Sequence, residues 1–197
     1  MAEDLSELYH SLEQKVDERT RQIRTASEVA QSVIGATSLD ELLTKTATVL
    51  VERFSFYHAG IFLVDSTGKY ATLSAAYSHA AQAMLTRGHR LEVGSASIIG
   101  WVTANNQPRI ASDVVEDPIH LINEFLPETR SEIGVPISIG NLVLGALDVQ
   151  STQSNAFGPE SSTVVMLQTL ASQIASAIRN VELIETAQIN VQEVERL

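Results

Sequence analysis

The chain has 197 residues, 24 acidic against 13 basic side chains, a net charge of -11 and no Cys. Its length fits one domain with extensions or two small ones, and a hydrophobic content of 44% is enough for a core, which argues against disorder along the whole chain. Without Cys there is no disulfide, no zinc–thiolate or iron–sulfur site, no thiol nucleophile and no thioether-linked pigment; the acidic balance repels phosphate backbones and argues against a nucleic-acid partner.

The start, MAEDLSELYH, is polar and acidic, unlike a secretory signal, and no apolar run approaches the roughly 20 residues that cross a bilayer. Residues 1–36 contain no Pro, and their first Gly is Gly35. Leu5, Leu8 and Leu12, then Val16, Ile23, Ala26, Ala30 and Val33, form a narrow apolar stripe. The step from Leu12 to Val16 fits a stutter in a heptad seam, and Arg19 is its polar position. One long pairing helix is predicted, with a helix folded back on its own domain as the alternative.

SLDELL (38–43) has a capping box, Ser38 with Glu41, and predicts a second helix ending near Arg53. HAGIFLVD (58–65) and KYATLSAAYS (69–78) flank a Gly-containing turn and predict a β-hairpin. A short helix over 79–86, a strand at 90–93, a one- or two-turn helix in SIIGWVTANNQ (97–107) and a strand PRIAS (108–112) follow. Residues 113–129 are acidic and punctuated by Pro118 and Pro127, as in a loop or short helices. SEIGVPISIGN (131–141) and LVLGALDVQST (142–152) predict a hairpin about Gly140-Asn141, with Pro136 at an edge position or a bulge. From Pro159 to Leu197 an apolar stripe at 3–4 spacing, including Leu167, Leu170, Ile174, Val181, Ile184 and Val191, predicts a last long helix.

Helices over 1–34 and 159–197 would be about 50 and 60 Å long at 1.5 Å per residue. A compact body of 120–150 residues is only about 40 Å across. Both stripes therefore call for a second copy, and a parallel homodimer is predicted with Leu5, Leu12, Val16, Ile23, Ile174, Val181, Ile184 and Val191 at its interface.

The segment RSEIGVPISIGNLVLGALDVQST, with GWVTANNQPRIASDV upstream, closely resembles the GAF domain family. Gly100, Trp101, Val102, Pro108, Asp113, Ser131, Glu132, Val135, Pro136, Gly145, Leu147, Asp148 and Gln150 carry the match. The resemblance implies an α+β fold, a GAF/PAS-like central antiparallel sheet flanked by helices, here with long coiled-coil-type helices at both ends. It divides the chain into a connector helix (1–36), a GAF domain (37–185) and a helical extension (186–197). LEQKVDERTRQI (12–23) resembles the connector helices of bacterial histidine kinases and related receptors.

Such domains commonly enclose a small ligand between the sheet and the short helices. The resemblance places the cavity wall on the first strand (Ile61, Leu63), the Gly100 helix (Ile98, Trp101, Val102), the 111–126 loop (Asp113, His120) and the last hairpin. Trp101 would stack on a flat ligand or plug the core; Asp113 would accept from a ligand or cap a short helix. Glu132 is expected to pair with Arg130 or Arg109 at the surface. Asp148 interrupts an apolar strand and must face solvent or find donors.

The known ligand classes each need particular residues. Covalent bilin attachment and the free methionine sulfoxide reductase activity of some relatives need Cys and are excluded. Cyclic-nucleotide relatives carry N-K and F-x-x-x-D-E, but here Ser161 and Ser162 follow Phe157 and no Asn-Lys pair precedes it. The His that haem-binding relatives place a few residues before the G-V-P run falls at Leu126; His120 lies further upstream, so haem would need a shifted ligand, and a solvated loop histidine is the alternative. No histidines share metal-ligand spacing. The expectation is a noncatalytic, cytoplasmic sensory module that binds an unidentified small molecule and signals through paired helices to an output domain such as a histidine kinase. The alternative is a dimerisation and relay module with no ligand.

Overall fold

The computed structural model of the chain describes Val16, 38–159 and 161–194, with side chains through residue 183 apart from 182. The expected first helix, with Leu5, Leu12 and Ile23, lies outside the described residues; Val16 is exposed. No helix among the described residues is long and apolar enough to cross a membrane.

Helix α1 (Leu39–Phe54) starts where the sequence predicts. Ser38 Oγ accepts from the Glu41 N–H at 3.3 Å, and Ser55 ends the helix in the left-handed region at φ 57°. Strands β1 (His58–Val64) and β2 (Tyr70–Tyr77) form the first hairpin, turned by Gly68 at φ 71° and by Asp65 Oδ1, which accepts from the Thr67 and Lys69 N–H groups. Next come α2 (Ala81–Thr86), β3 (Arg90–Glu92), α3 (Ile98–Asn105) and β4 (Arg109–Ala111). Strands β5 (Ser131–Ile139) and β6 (Leu142–Ser151) make the second hairpin, and α4 runs from Ser162 to Val194. The six strands form one antiparallel sheet in the order β3-β2-β1-β6-β5-β4. Pro136 lies beyond the three residues of β4, where β5 is an edge, as its missing N–H requires.

The two sheet faces bury different sets. One face presents Ala59, Ile61, Ile133, Val135, Ile137, Leu147 and Val149 to α1 and α4. The other presents Phe62, Leu73 and Ala146 to α2, α3 and the 113–129 loop. Two bulges set these faces. Ile61 pairs with Ala75 but Phe62 pairs with Leu73, leaving Ser74 as an extra residue. Ile137 pairs with Gly145 but Ser138 pairs with Val143, leaving Leu144 extra.

The last helix corrects one expectation. Ile174, assigned to a subunit interface, is buried with Leu167, Leu170 and Ile178 in the chain's own sheet–helix core. Val181 is half-buried, Leu183 is exposed, and Ile184 and Val191 belong to α4. The first half of the stripe is therefore satisfied within the domain.

Helix α3 carries the other face. Ser97 caps it: its Oγ accepts from the Gly100 N–H at 2.9 Å, and Ser97 is buried. Replacing Ser97 with Ala is expected to cost about 1–2 kcal/mol, read as a urea midpoint lower by about 0.5–1 M. An unchanged midpoint would show that the cap contributes nothing.

Candidate functional site

A cavity of about 440 Å³ lies between the sheet and the α2/α3/loop layer. Register explains what forms its floor. His58 pairs with Gln150 and Gln150 with Glu132; one step along, Gly60 pairs with Asp148 and Asp148 with Gly134. All these positions share one face because side chains alternate along a strand. Glu132 and Asp148 are thus diagonal cross-strand neighbours, and Asp148 sits between two glycines. The glycines are sterically required: a Cβ at Gly60 would stand 3.0 Å from His58 Nε2, and one at Gly134 would stand 2.8 Å from Val102 Cγ2. Gly134 thereby lets α3 lie close over the floor.

Polar side chains fill the floor. Asp148 is 2% exposed; its Oδ2 accepts from Gln150 Nε2 at 2.8 Å, while its Oδ1 is buried with no hydrogen-bond partner. Thr129 Oγ1 lies 2.7 Å from Gln150 Oε1 and fixes that amide. Glu132 faces Asp148 diagonally across the strand pair, and His120 Nδ1 lies 2.9 Å from Glu132 Oε2. Burial raises both carboxyls, Glu132 to about 8, and the Glu132 charge pushes Asp148 further up. Two acids this close cannot both ionise without a cation, so the pair holds a proton near neutrality. His58 touches Ser78 Oγ through Nδ1 at 2.9 Å; its Nε2 has no partner and lies 3.9 Å from Asp148 Oδ2. Burial pulls its pKa down to about 3, so it stands neutral beside the acids. Burial also lowers His120.

Phe62, Met84, Leu91, Ile98 and Ile99 supply apolar walls. The 113–129 loop forms the roof. Asp113 organises its start: Oδ1 accepts from the Val115 N–H at 3.1 Å, and Oδ2 pairs with Arg130, which pulls the Asp113 pKa down. Arg109 grips both oxygens of Asp117 at 2.8 and 3.0 Å. At the mouth Arg87 pairs with Glu124 and lies over the Phe125 ring, beside the exposed Leu121 and Ile122.

The seven residues expected to hold a ligand are dispersed. Ile98 lines the cavity, and His120 reaches its floor through Glu132. Val102 packs α3 onto Gly134. Ile61 and Leu63 lie on the opposite face, against α1 and α4. Trp101 is half-buried outside the cavity with the Arg109 guanidinium 5.6 Å from its ring, and Asp113 is a loop staple. Glu132, expected at the surface with an arginine, is buried on His120 and Asp148. Asp148 faces neither solvent nor a full set of donors. The available signal was the apolar alternation of Ile133, Val135 and Ile137, and of Leu147 and Val149, which leaves Glu132, Asp148 and Gln150 in the other phase. Among the described residues, no group of three or more His, Cys, Asp or Glu side chains is arranged to hold a metal ion.

Comparisons with solved structures match this architecture. The GAF domain of a phosphoenolpyruvate-protein phosphotransferase from Coxiella burnetii has a TM-score of 0.74 and 21% identity, over 84% of this chain and 96% of that one. The corresponding Acinetobacter domain has a TM-score of 0.70 and 22% identity, over 83% and 95%. The free methionine-R-sulfoxide reductase of Neisseria meningitidis, solved with its substrate, has a TM-score of 0.65 and 23% identity, over 77% and 84%. None of the curated proteins matches the chain in sequence. The model of the GAF domain family matches residues 36–179, and the chain therefore belongs to that family.

Proposed function

We propose that this GAF domain is a noncatalytic sensory module that takes a small molecule into the cavity over β5 and β6 and passes the binding signal through its terminal helices, as a parallel homodimer, to an output domain such as a histidine kinase. The observation that carries the reading is Asp148 Oδ1, a buried acceptor without a donor at the base of a cavity of about 440 Å³. An unmet buried acceptor of this kind costs about 1–3 kcal/mol, which a bound donor would recover. Cavities of this size are ordinary for small ligands. The Neisseria reductase, similar in fold and solved with its substrate, supports a fold that can hold a small molecule. The absence of any thiol favours binding over turnover by that chemistry. The exposed Leu183, past the sheet-packed part of α4, supports pairing of the helix beyond Ile178.

Native mass spectrometry of the freshly purified chain, followed by a thermal-shift screen of small metabolites, tests both halves. A dimer mass and a binder that raises the melting midpoint by several degrees at 100-fold its Kd are expected, since that occupancy is worth about 2.7 kcal/mol. A monomer at tens of micromolar would remove the helix relay. A dimer that no compound stabilises would leave a relay module without a ligand.

A further inference from the structure

We propose that the cavity floor selects a ligand with a positively charged nitrogen group, a primary ammonium or an amidinium, on a body with apolar parts, and that this group docks on the buried, unpartnered Asp148 Oδ1 beside Glu132. The inference rests on the reading of the cavity as a ligand site and adds the chemical class of the ligand.

The floor has acceptors to offer and no mobile cation to meet them. Asp148 Oδ1 is unpartnered, while Gln150 already holds Oδ2 and is itself fixed by Thr129. The groups facing the pair from each neighbouring element are accounted for. From β1, His58 is held neutral by burial, and His89, in the cavity wall just before β3, is also lowered by burial. From the loop, His120 bonds Glu132 and Asp117 adds a further negative charge. From β4, Arg109 is committed to both oxygens of Asp117. At the mouth, Arg87 is committed to Glu124. Among the described residues, the pair therefore has only a proton to offset its charge.

An incoming ammonium changes that balance. It donates N–H to Asp148 Oδ1, meeting the unmet acceptor, and supplies the positive charge that the shared proton supplied. The displaced proton leaves to solvent: the carboxyl O–H bond breaks, its electron pair stays on the carboxylate, and no bond of the ligand changes. A hydroxyl group can donate to Oδ1 but brings no charge and leaves the proton in place. A carboxylate is repelled. The apolar walls, with the exposed Leu121 and Ile122, offer apolar contacts to the rest of the ligand, beside the polar Arg87, His89, Ser97, Asn123 and Glu124.

The test titrates the full chain with hexylammonium, 1-hexanol and hexanoate by calorimetry at pH 6, 7 and 8. Hexylammonium is expected to bind at least tenfold tighter than hexanol at pH 7, and hexanoate more weakly than either. The ammonium affinity should rise with pH, up to tenfold per unit, while that of hexanol stays level. Its apparent enthalpy should differ between phosphate and Tris buffers, because a proton is released. Asp148→Asn should bring the ammonium-to-hexanol ratio close to one while hexanol still binds; Glu132→Gln should abolish the buffer dependence with hexanol binding intact. Hexanol binding as tightly as hexylammonium, or selectivity surviving Asp148→Asn, would overturn the charge assignment and leave the cavity as a ligand site. No binding of any of the three would overturn both readings.

Discussion

Between pH 6.5 and 8 the unliganded domain is expected to lose on the order of 1 kcal/mol of unfolding free energy, because the folded Glu132–Asp148 pair keeps a proton that the unfolded chain has given up. The sign follows from the direction of the shifts. Burial raises both acids in the folded state, Glu132 to about 8. Over the interval between its ordinary pKa and the raised one, the folded state binds more protons than the unfolded one. Stability from this source is complete below the ordinary carboxyl range and declines as pH rises towards 8. His58, held down to about 3, and the lowered His89 and His120 act oppositely: the unfolded chain binds their protons, so their contribution grows as pH rises through their ordinary value and levels off about one unit above it. The two trends oppose each other up to about pH 7.5, which makes the net fall smaller than the acid pair alone would give. For a domain of this size, the fall corresponds to a melting midpoint lower by about 2–4 °C. Denaturant melts at half-unit steps of pH check it. Glu132→Gln should flatten the curve above pH 6.5, and Asp148→Asn should reduce its slope. A native curve that is flat or rising from pH 6.5 to 8 would mean the pair is not protonated in the folded state.

The same pair shows where a sequence stops being readable. The hairpins at Gly68 and Gly140, the capped α1, the short α3 and the long last helix all follow from local signals: turn residues, caps and period. The choice of face does not. Counting back from the Gly140-Asn141 turn, with Ile139 opposite Leu142, would pair Ile133 with Asp148 and turn the acid towards α1 and α4. The extra Leu144 slips the register by one, so that Gly134 meets Asp148 and the acid turns into the cavity. No local preference marks that bulge. In β1 the run from His58 to Phe62 is buried on both faces, so alternation groups Ile61 with Leu63 without telling which face meets the cavity, and it is Gly60 and Phe62 that face it. Trp101 drew attention as the sole Trp, yet its partner is Arg109 outside the cavity. The length of the stripe on α4 exceeds one domain and points to an intermolecular partner, yet the sheet covers it as far as Ile178.

Next to that bulge, Gly145 carries the most severe steric constraint among the glycines of the sheet. A Cβ there would stand 2.0 Å from the carbonyl oxygen of Phe62, 3.1 Å from its carbonyl carbon and 3.2 Å from Leu63 Cα. These are backbone atoms of the paired strand, so no rotamer change can make room; β1 and β6 would have to separate. The two strands are neighbours at the centre of the sheet, and their pairing sets His58 beside Gln150 and Gly60 beside Asp148. Gly145→Ala is therefore expected to cost on the order of 3 kcal/mol or more, above the usual range for a tight core because the obstacle is main chain. Against a total of about 5–15 kcal/mol, Gly145→Val should leave little folded protein at 25 °C. Gly158→Ala is the matched control: its Cβ would meet Ser161 Cβ at 3.7 Å, an ordinary contact, and its stability should stay within about 0.5 kcal/mol of the native chain. Urea denaturation followed by Trp101 fluorescence compares the three. If Gly145→Ala unfolds at the native midpoint, β1 and β6 are not as close as their register requires, and the diagonal contact that pairs Glu132 with Asp148 across the adjoining hairpin loses its support.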